Sequence, residues 1–248
     1  MLEALLKKID ALKNEIGALR PLSTMELASL RNYFKIGLTY TSNALEGNSL
    51  TETETKVVIE DGLTVGGKPL VHHLEAVGAA QAYDYMYELA SKKNITALDI
   101  CELHRIFYKG IDSDQAGVYR NQQVYISGTE FVPPVAAHVG DLMKQLEKDL
   151  LMWQKELHPV LYAAKLHAEF VTIHPFIDGN GRTARLVMNL ALLQHGYAVT
   201  IIPPILRNQY IAALKQAQCN KNEKPFFEFI ASMVYESQRD YKRLFSHS

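Results

Sequence analysis

Cysteine is scarce in this chain: only Cys101 and Cys219 occur in 248 residues. Two cysteines so far apart cannot build a disulfide framework or a CxxC metal knuckle, and their rarity fits a reducing compartment. Glycine (14) and proline (9) are too few for a linker-rich or collagen-like chain. Charge of one sign is also missing, because 26 Lys+Arg against 27 Asp+Glu leave a net charge of −1. That balance argues against a dedicated nucleic-acid binder, which carries a basic domain or stripe, and against adsorption to an anionic membrane. No stretch reaches the ~18 apolar residues that a spanning helix needs. The richest run, Leu186 to Leu193, contains Asn189 and is followed by Gln194 and His195. Charges interrupt the N-terminus early, so it lacks the apolar centre of a signal peptide. The expectation is a soluble cytoplasmic protein with no nucleic-acid and no membrane partner. Its length suits one or two domains with a sizeable core.

What is present is helical periodicity. Leu2, Leu5, Ile9, Leu12, Ile16 and Leu19 step by three and four, which puts them on one helix face. Such a stripe serves a contact inside its own domain or a homodimer. Pro21 is expected to end this helix. Ser23 and Glu26 then form a capping box for a long helix toward Leu45 and Glu46. Gly47 stands where a left-handed helix stop belongs. Further helices are expected from Thr51 to near Gly62, Val71–Ala90, Asp99–Tyr108, Val139–Trp153, Pro159–Thr172, Arg182–His195, Arg207–Gln218 and Pro225–Phe245. One stretch differs. Gln123-Val124-Tyr125-Ile126 and Phe131-Val132 are β-prone and flank Ser127-Gly128, which predicts a hairpin.

The chemistry concentrates in His174-Pro175-Phe176-Ile177-Asp178-Gly179-Asn180-Gly181-Arg182-Thr183-Ala184-Arg185. Gly-Asn-Gly ahead of a helix lets backbone N–H groups converge at its positive end, which suits phosphate. Arg182 and Arg185 share one side of the first turn. Cations there oppose the helix dipole, so an anionic partner is implied. A lone carboxylate beside bound phosphates, Asp178, is a natural Mg²⁺ ligand. His174 titrates near neutral pH and can accept a proton. Base, metal ligand and anion nest together describe phosphoryl or nucleotidyl transfer. The competing reading is a core histidine and a glycine turn before an ordinary helix.

This segment resembles the signature of the Fic family, HPFx[D/E]GNGRxxR, and matches it at every defined position. The resemblance extends from about residue 38 to 235. It implies an all-α fold, a Fic-like helical bundle with one β-hairpin flap. Residues 1–60 would be N-terminal helices, including an inhibitory helix, packed on a Fic core at 61–248. It also implies AMP transfer from ATP to Ser, Thr or Tyr hydroxyls of target proteins and of the chain itself. His174 would be the base and Asp178 the Mg²⁺ ligand, with Mn²⁺ as an alternative ion. Gly179, Asn180, Gly181, Arg182, Thr183, Ala184 and Arg185 would bind ATP. Asn180 would fix the α-phosphate, Arg182 the β- and Arg185 the γ-phosphate. Val124, Tyr125, Ile126 and Ser127 would line the nucleotide and clamp a target segment by strand addition. Tyr210 and Gln218 would lie near the base.

Thr41-Ser42-Asn43-Ala44-Leu45-Glu46-Gly47 places a carboxylate at a helix C-terminus, where the dipole disfavours it. A cationic partner is expected. Ser42 lies one turn earlier on the same face. The stretch resembles the family's inhibitory motif, [S/T]xxxE[G/N]. The resemblance implies that Glu46 pairs with Arg185 and displaces the γ-phosphate. Two alternatives stay open: a hydrolase that removes AMP with the same site, and a locked nucleotide-binding module. Transfer of phosphate or UMP is a fourth, disfavoured by the intact motif. The remaining histidines, His72, His73, His104, His138, His158, His167, His195 and His247, are expected to be structural or at the surface.

Overall fold

A computed structural model describes residues 2–19, 23–126 and 129–246. Pro21, Ser127, Gly128 and His247, about which the sequence carries expectations, lie outside those residues. Among the described residues ten α-helices follow one another: α1 Leu2–Gly17, α2 Thr24–Ala44, α3 Glu52–Lys56, α4 Leu70–Leu89, α5 Ala97–Tyr108, α6 Val139–Glu156, α7 Pro159–Ile173, α8 Asn180–Gln194, α9 Arg207–Asn220 and α10 Lys224–Ser246. A single π turn, Val57–Asp61, prolongs α3.

The helix starts follow local chemistry. Ser23 accepts from the Glu26 amide at 3.2 Å while the Glu26 carboxylate accepts from the Ser23 amide at 2.7 Å. Thr51 with Glu54 and Thr96 with Asp99 repeat that reciprocal cap. Each satisfies amides that the first turn would otherwise leave bare.

Helix α8 runs through the middle of the fold. Residues 182–192 are buried without interruption, and α7 lies against it. Leu166 and Phe170 of α7 and Val187 and Leu190 of α8 are all but fully enclosed. Each such side chain contributes about 1.5–3 kcal/mol. Asn189 sits among them because its polar atoms are used. Its amide donates to the Arg185 and Thr200 carbonyls at 2.9 and 3.1 Å, and its Oδ1 accepts from the Thr200 amide at 2.6 Å. The start of α8, with both motif arginines, is therefore mounted on a rigid element.

The N-terminal stripe packs within the chain. Helix α1 lies on α10, and Leu6 and Ile9 join the same buried core as Phe34, Leu38 and Leu45 of the α2 region. Asp10 accepts from Tyr197 Oη at 2.6 Å, which pins α1 beside the α8 exit.

The hairpin expectation needs correction. No strand occurs among the described residues, and 123–126 and 129–135 are irregular. Side chains bridge the two limbs instead of a backbone ladder. Gln123 Nε2 donates to the Pro133 carbonyl at 3.0 Å, and Arg120 Nη2 donates to the Pro134 carbonyl. Pro133 and Pro134 have no N–H to offer a ladder. A two-stranded hairpin with no third strand is marginal in any case.

Candidate active site

Helix α7 ends at His174, which takes a left-handed conformation (φ 51°, ψ 60°). That region disfavours non-glycine residues, so the turn must be held from outside. Arg120 holds it. Its backbone N–H donates to the Pro175 carbonyl at 2.9 Å, and its Nε donates to the His174 carbonyl at 2.8 Å. The guanidinium also reaches the Gln122 and Pro134 carbonyls, so one buried arginine ties the irregular loop to the histidine turn. His174 Nδ1 lies 3.3 Å from the Val171 carbonyl. Placing the proton on Nδ1 satisfies that contact and leaves Nε2 as a free base. Burial lowers the His174 pKa. The Val171 carbonyl opposes the shift, Arg120 reinforces it, and the net direction is down. The imidazole is thus neutral at physiological pH.

The turn continues into the helix start. Phe176 is buried and stacks face to face on His104, with centroids 3.7 Å apart. His104 Nδ1 accepts from the Gly117 amide at 2.9 Å, so its Nε2–H donates to the Asp178 carbonyl at 3.1 Å. Gly179 (φ 75°) caps α8 in a conformation that favours glycine. The side-chain amide of Asn180 closes the loop. Oδ1 accepts from the Phe176 amide at 2.9 Å and Nδ2 donates to the Phe176 carbonyl at 2.8 Å. Thr183 and Ala184 are completely buried in the packing of α8.

The two arginines are both engaged. Arg185 Nε donates to Ser42 Oγ at 2.8 Å, and its Nη2 donates to the Ser42 carbonyl at 2.9 Å and to Glu46 Oε1 at 2.6 Å. Its Nη1 points to Tyr210 Oη at 3.4 Å, and that hydroxyl contacts His167 Nε2 at 2.9 Å. Burial alone would raise the Glu46 pKa. The charge and hydrogen bond of Arg185 outweigh it, with Arg182 and Arg207 adding, so the carboxyl is held below its usual range. Arg207 Nε also donates to the Leu45 carbonyl at 2.8 Å, a cation capping the end of the α2 segment. The carboxylate lies on the Cα of Gly181. A Cβ there would stand 2.2 Å from Glu46 Oε1. Arg182 lies over the Phe107 ring at 4.8 Å and bonds Glu75 Oε1 and, at 3.1 Å, Asp178 Oδ2.

A cleft of about 480 Å³ opens onto this arrangement. His174, Glu46, Gly181, Tyr210, Gln218 and, from the irregular loop, Ile126 and Thr129 line it. Its size suits a nucleotide-sized ligand. Tyr125, expected as a lining residue, is 79% exposed. Ser127 lies outside the described residues. Asp178, with a 59% exposed side chain, offers one carboxylate beside the start of α8. That donor set fits a Mg²⁺ ion which takes its other ligands from phosphate and water.

Sequence reasoning missed Arg120, His104 and Glu75. Each acts on the site from a distant element, and no local spacing signals it. His104 was read only as structural, without its bond to the Asp178 carbonyl.

Residues 94–192 match the family model described as Fic/DOC family. The chain is 38% identical over 233 residues to the protein adenylyltransferase Fic of Drosophila yakuba, covering 92% of this chain and 46% of that protein. It therefore spans about half the length of the curated relatives it matches. Among solved structures, Fic-1 (residues 134–508) from Caenorhabditis elegans superposes with a TM-score of 0.86 at 29% identity, over 97% of this chain and 71% of that one. A Fic domain containing signaling protein from Bacteroides thetaiotaomicron gives 0.87 at 26% identity, over 97% of both chains.

Proposed function

The chain belongs to the Fic/DOC family, and from that premise we propose that it is a protein adenylyltransferase held in an autoinhibited state. The observation that carries this reading is that His174, Gly181 and Glu46 line a single cleft while Glu46 also bonds Arg185.

In the transfer, Nε2 of His174 takes the proton of a Ser, Thr or Tyr hydroxyl of a target protein. The oxygen forms a bond to the α-phosphorus of ATP, the bond to the bridging oxygen breaks, and pyrophosphate leaves. The amides at the start of α8 receive phosphate oxygens. Asp178 would hold Mg²⁺, which would supply positive charge to neutralise the phosphates. Arg182 serves the β-phosphate. Arg185 serves the γ-phosphate once Glu46 has left it. Tyr210 and Gln218 stand where the base would lie. Ile126 and Thr129 face the target side. No helix among the described residues is long and apolar enough to cross a membrane.

Glu46→Gly protein incubated with Mg-ATP should gain AMP adducts detectable by mass spectrometry, and adding His174→Ala should remove them. An unmodified Glu46→Gly protein that also fails to label any lysate protein refutes the reading. One observation favours a second activity: Glu46 faces the same cleft as His174 and could orient water on an AMP-modified target. Release of AMP from such a target by the wild type, lost in Glu46→Gly, would identify it.

A further inference from the structure

Arg182 is buried almost as deeply as Arg185, and its neighbours are not alike. The side chain is 5% exposed and lies flat over Phe107. Nη1 bonds Glu75, from the second turn of α4, and Nη2 bonds Asp178. Asp178 is loop-borne, 59% exposed and the candidate metal ligand. Glu75 is 13% exposed and itself fixed, because Asn48 Nδ2 donates to its Oε2 at 2.8 Å. Asn48 in turn donates to the His72 carbonyl at 3.0 Å and accepts from the Leu50 amide at 2.9 Å. Arg182 Nε is buried with no hydrogen-bond partner among the described residues.

We propose that Glu75 is a positioning residue that fixes the guanidinium of Arg182 for the diphosphate portion of the nucleotide, with Asn48 as its anchor. This rests on the adenylyltransferase reading. A buried guanidinium needs a permanent counter-charge. If Asp178 alone supplied it, engagement of Asp178 by a metal would leave Arg182 unpaired at the moment it is needed. Glu75 removes that conflict. It occupies one edge of the fork, so the other edge passes from Asp178 to phosphate without the side chain moving. Asn48 lies two residues beyond Glu46. The segment that carries the inhibitory carboxylate therefore also steadies the second arginine.

The test uses Glu46→Gly/His174→Ala protein, which should bind nucleotide without turnover. Calorimetry with Mg-ATP, Mg-ADP and AMP is repeated after adding Glu75→Gln, Glu75→Asp or Asn48→Ala. Glu75→Gln should weaken ATP and ADP about 10-fold or more while AMP changes less than about twofold. Glu75→Asp and Asn48→Ala should give smaller losses with the same discrimination, and they keep the test readable if Glu75→Gln folds poorly. An equal loss for all three nucleotides, or no loss, overturns the proposal and leaves the transferase reading standing. If the parent protein binds no adenine nucleotide, the transferase reading fails and this proposal falls with it.

Discussion

Replacing Arg120 with methionine removes the brace of the His174 turn while keeping an aliphatic side chain of similar reach. Three carbonyls lose their donor: His174, Gln122 and Pro134. A buried acceptor left unsatisfied costs about 1–3 kcal/mol. The sum is reduced in two ways. Water can reach the irregular loop beside Gln122, and the wild-type guanidinium is buried with no carboxylate among its described partners, a burial that lowers its own pKa. The net loss should be about 2–4 kcal/mol, read as a lower urea midpoint at unchanged slope. The left-handed turn at His174 is the part most exposed to this loss. In the Glu46→Gly background, Arg120→Met should lower kcat for AMP transfer about 10–100-fold, the size expected when a base is misplaced by about an ångström. Arg120→Lys should recover little, since an ammonium cannot span three carbonyls. Stability within about 0.5 kcal/mol of the parent, which is ordinary for a surface change, would refute the brace.

Two further outcomes follow from the same geometry. Gly181→Ala places a methyl 2.2 Å from Glu46 Oε1, so the carboxylate must leave Arg185. The Glu46–Arg185 pair is only partly screened from water, Glu46 being 35% exposed, so its loss should cost about 1–2 kcal/mol after discounting. Thermal melts in a double-mutant cycle should show that cost vanishing in Glu46→Gly protein, and strict additivity would contradict it. Acid titration of stability tests the buried histidines. Burial lowers His104 to about 4 and His167 to about 3. Unfolded imidazoles titrate near 6.5, so below that pH the unfolded chain binds protons that the folded one refuses. Stability should be complete above pH 6.5 and fall as pH drops toward about 4, by up to about 1.4 kcal/mol per pH unit for each histidine. Replacing His167 with phenylalanine should flatten that slope, and an unchanged slope would remove His167 from the account.

The turn and helix start between His174 and Arg185 were legible because their geometry is local. A glycine-bracketed helix start gathers amides and a positive end wherever it occurs, and two arginines three residues apart must share a side. The capping box at Ser23 was legible for the same reason, since its donors and acceptors lie three residues apart. Expectations failed where a local preference had to be completed by distant partners. Residues around 123–132 have β propensity, yet Arg120 and Gln123 satisfy the carbonyls of Pro133 and Pro134 and no ladder forms. The loop that the Asn180 side chain closes on Phe176 carried no signal in the local spacing either.

The residues alone determined the helical fold, the glycine-bracketed start of α8 and the need of Glu46 for a cation, because periodicity, capping and helix dipoles act over one or two turns. Tertiary structure decided which cation Glu46 meets and what holds His174 in its left-handed turn. It also decided which acid, Glu75 from α4, shares Arg182 with Asp178. Those partners lie tens to more than a hundred positions apart. Only burial, which makes an unpaired charge or carbonyl costly, brings them together.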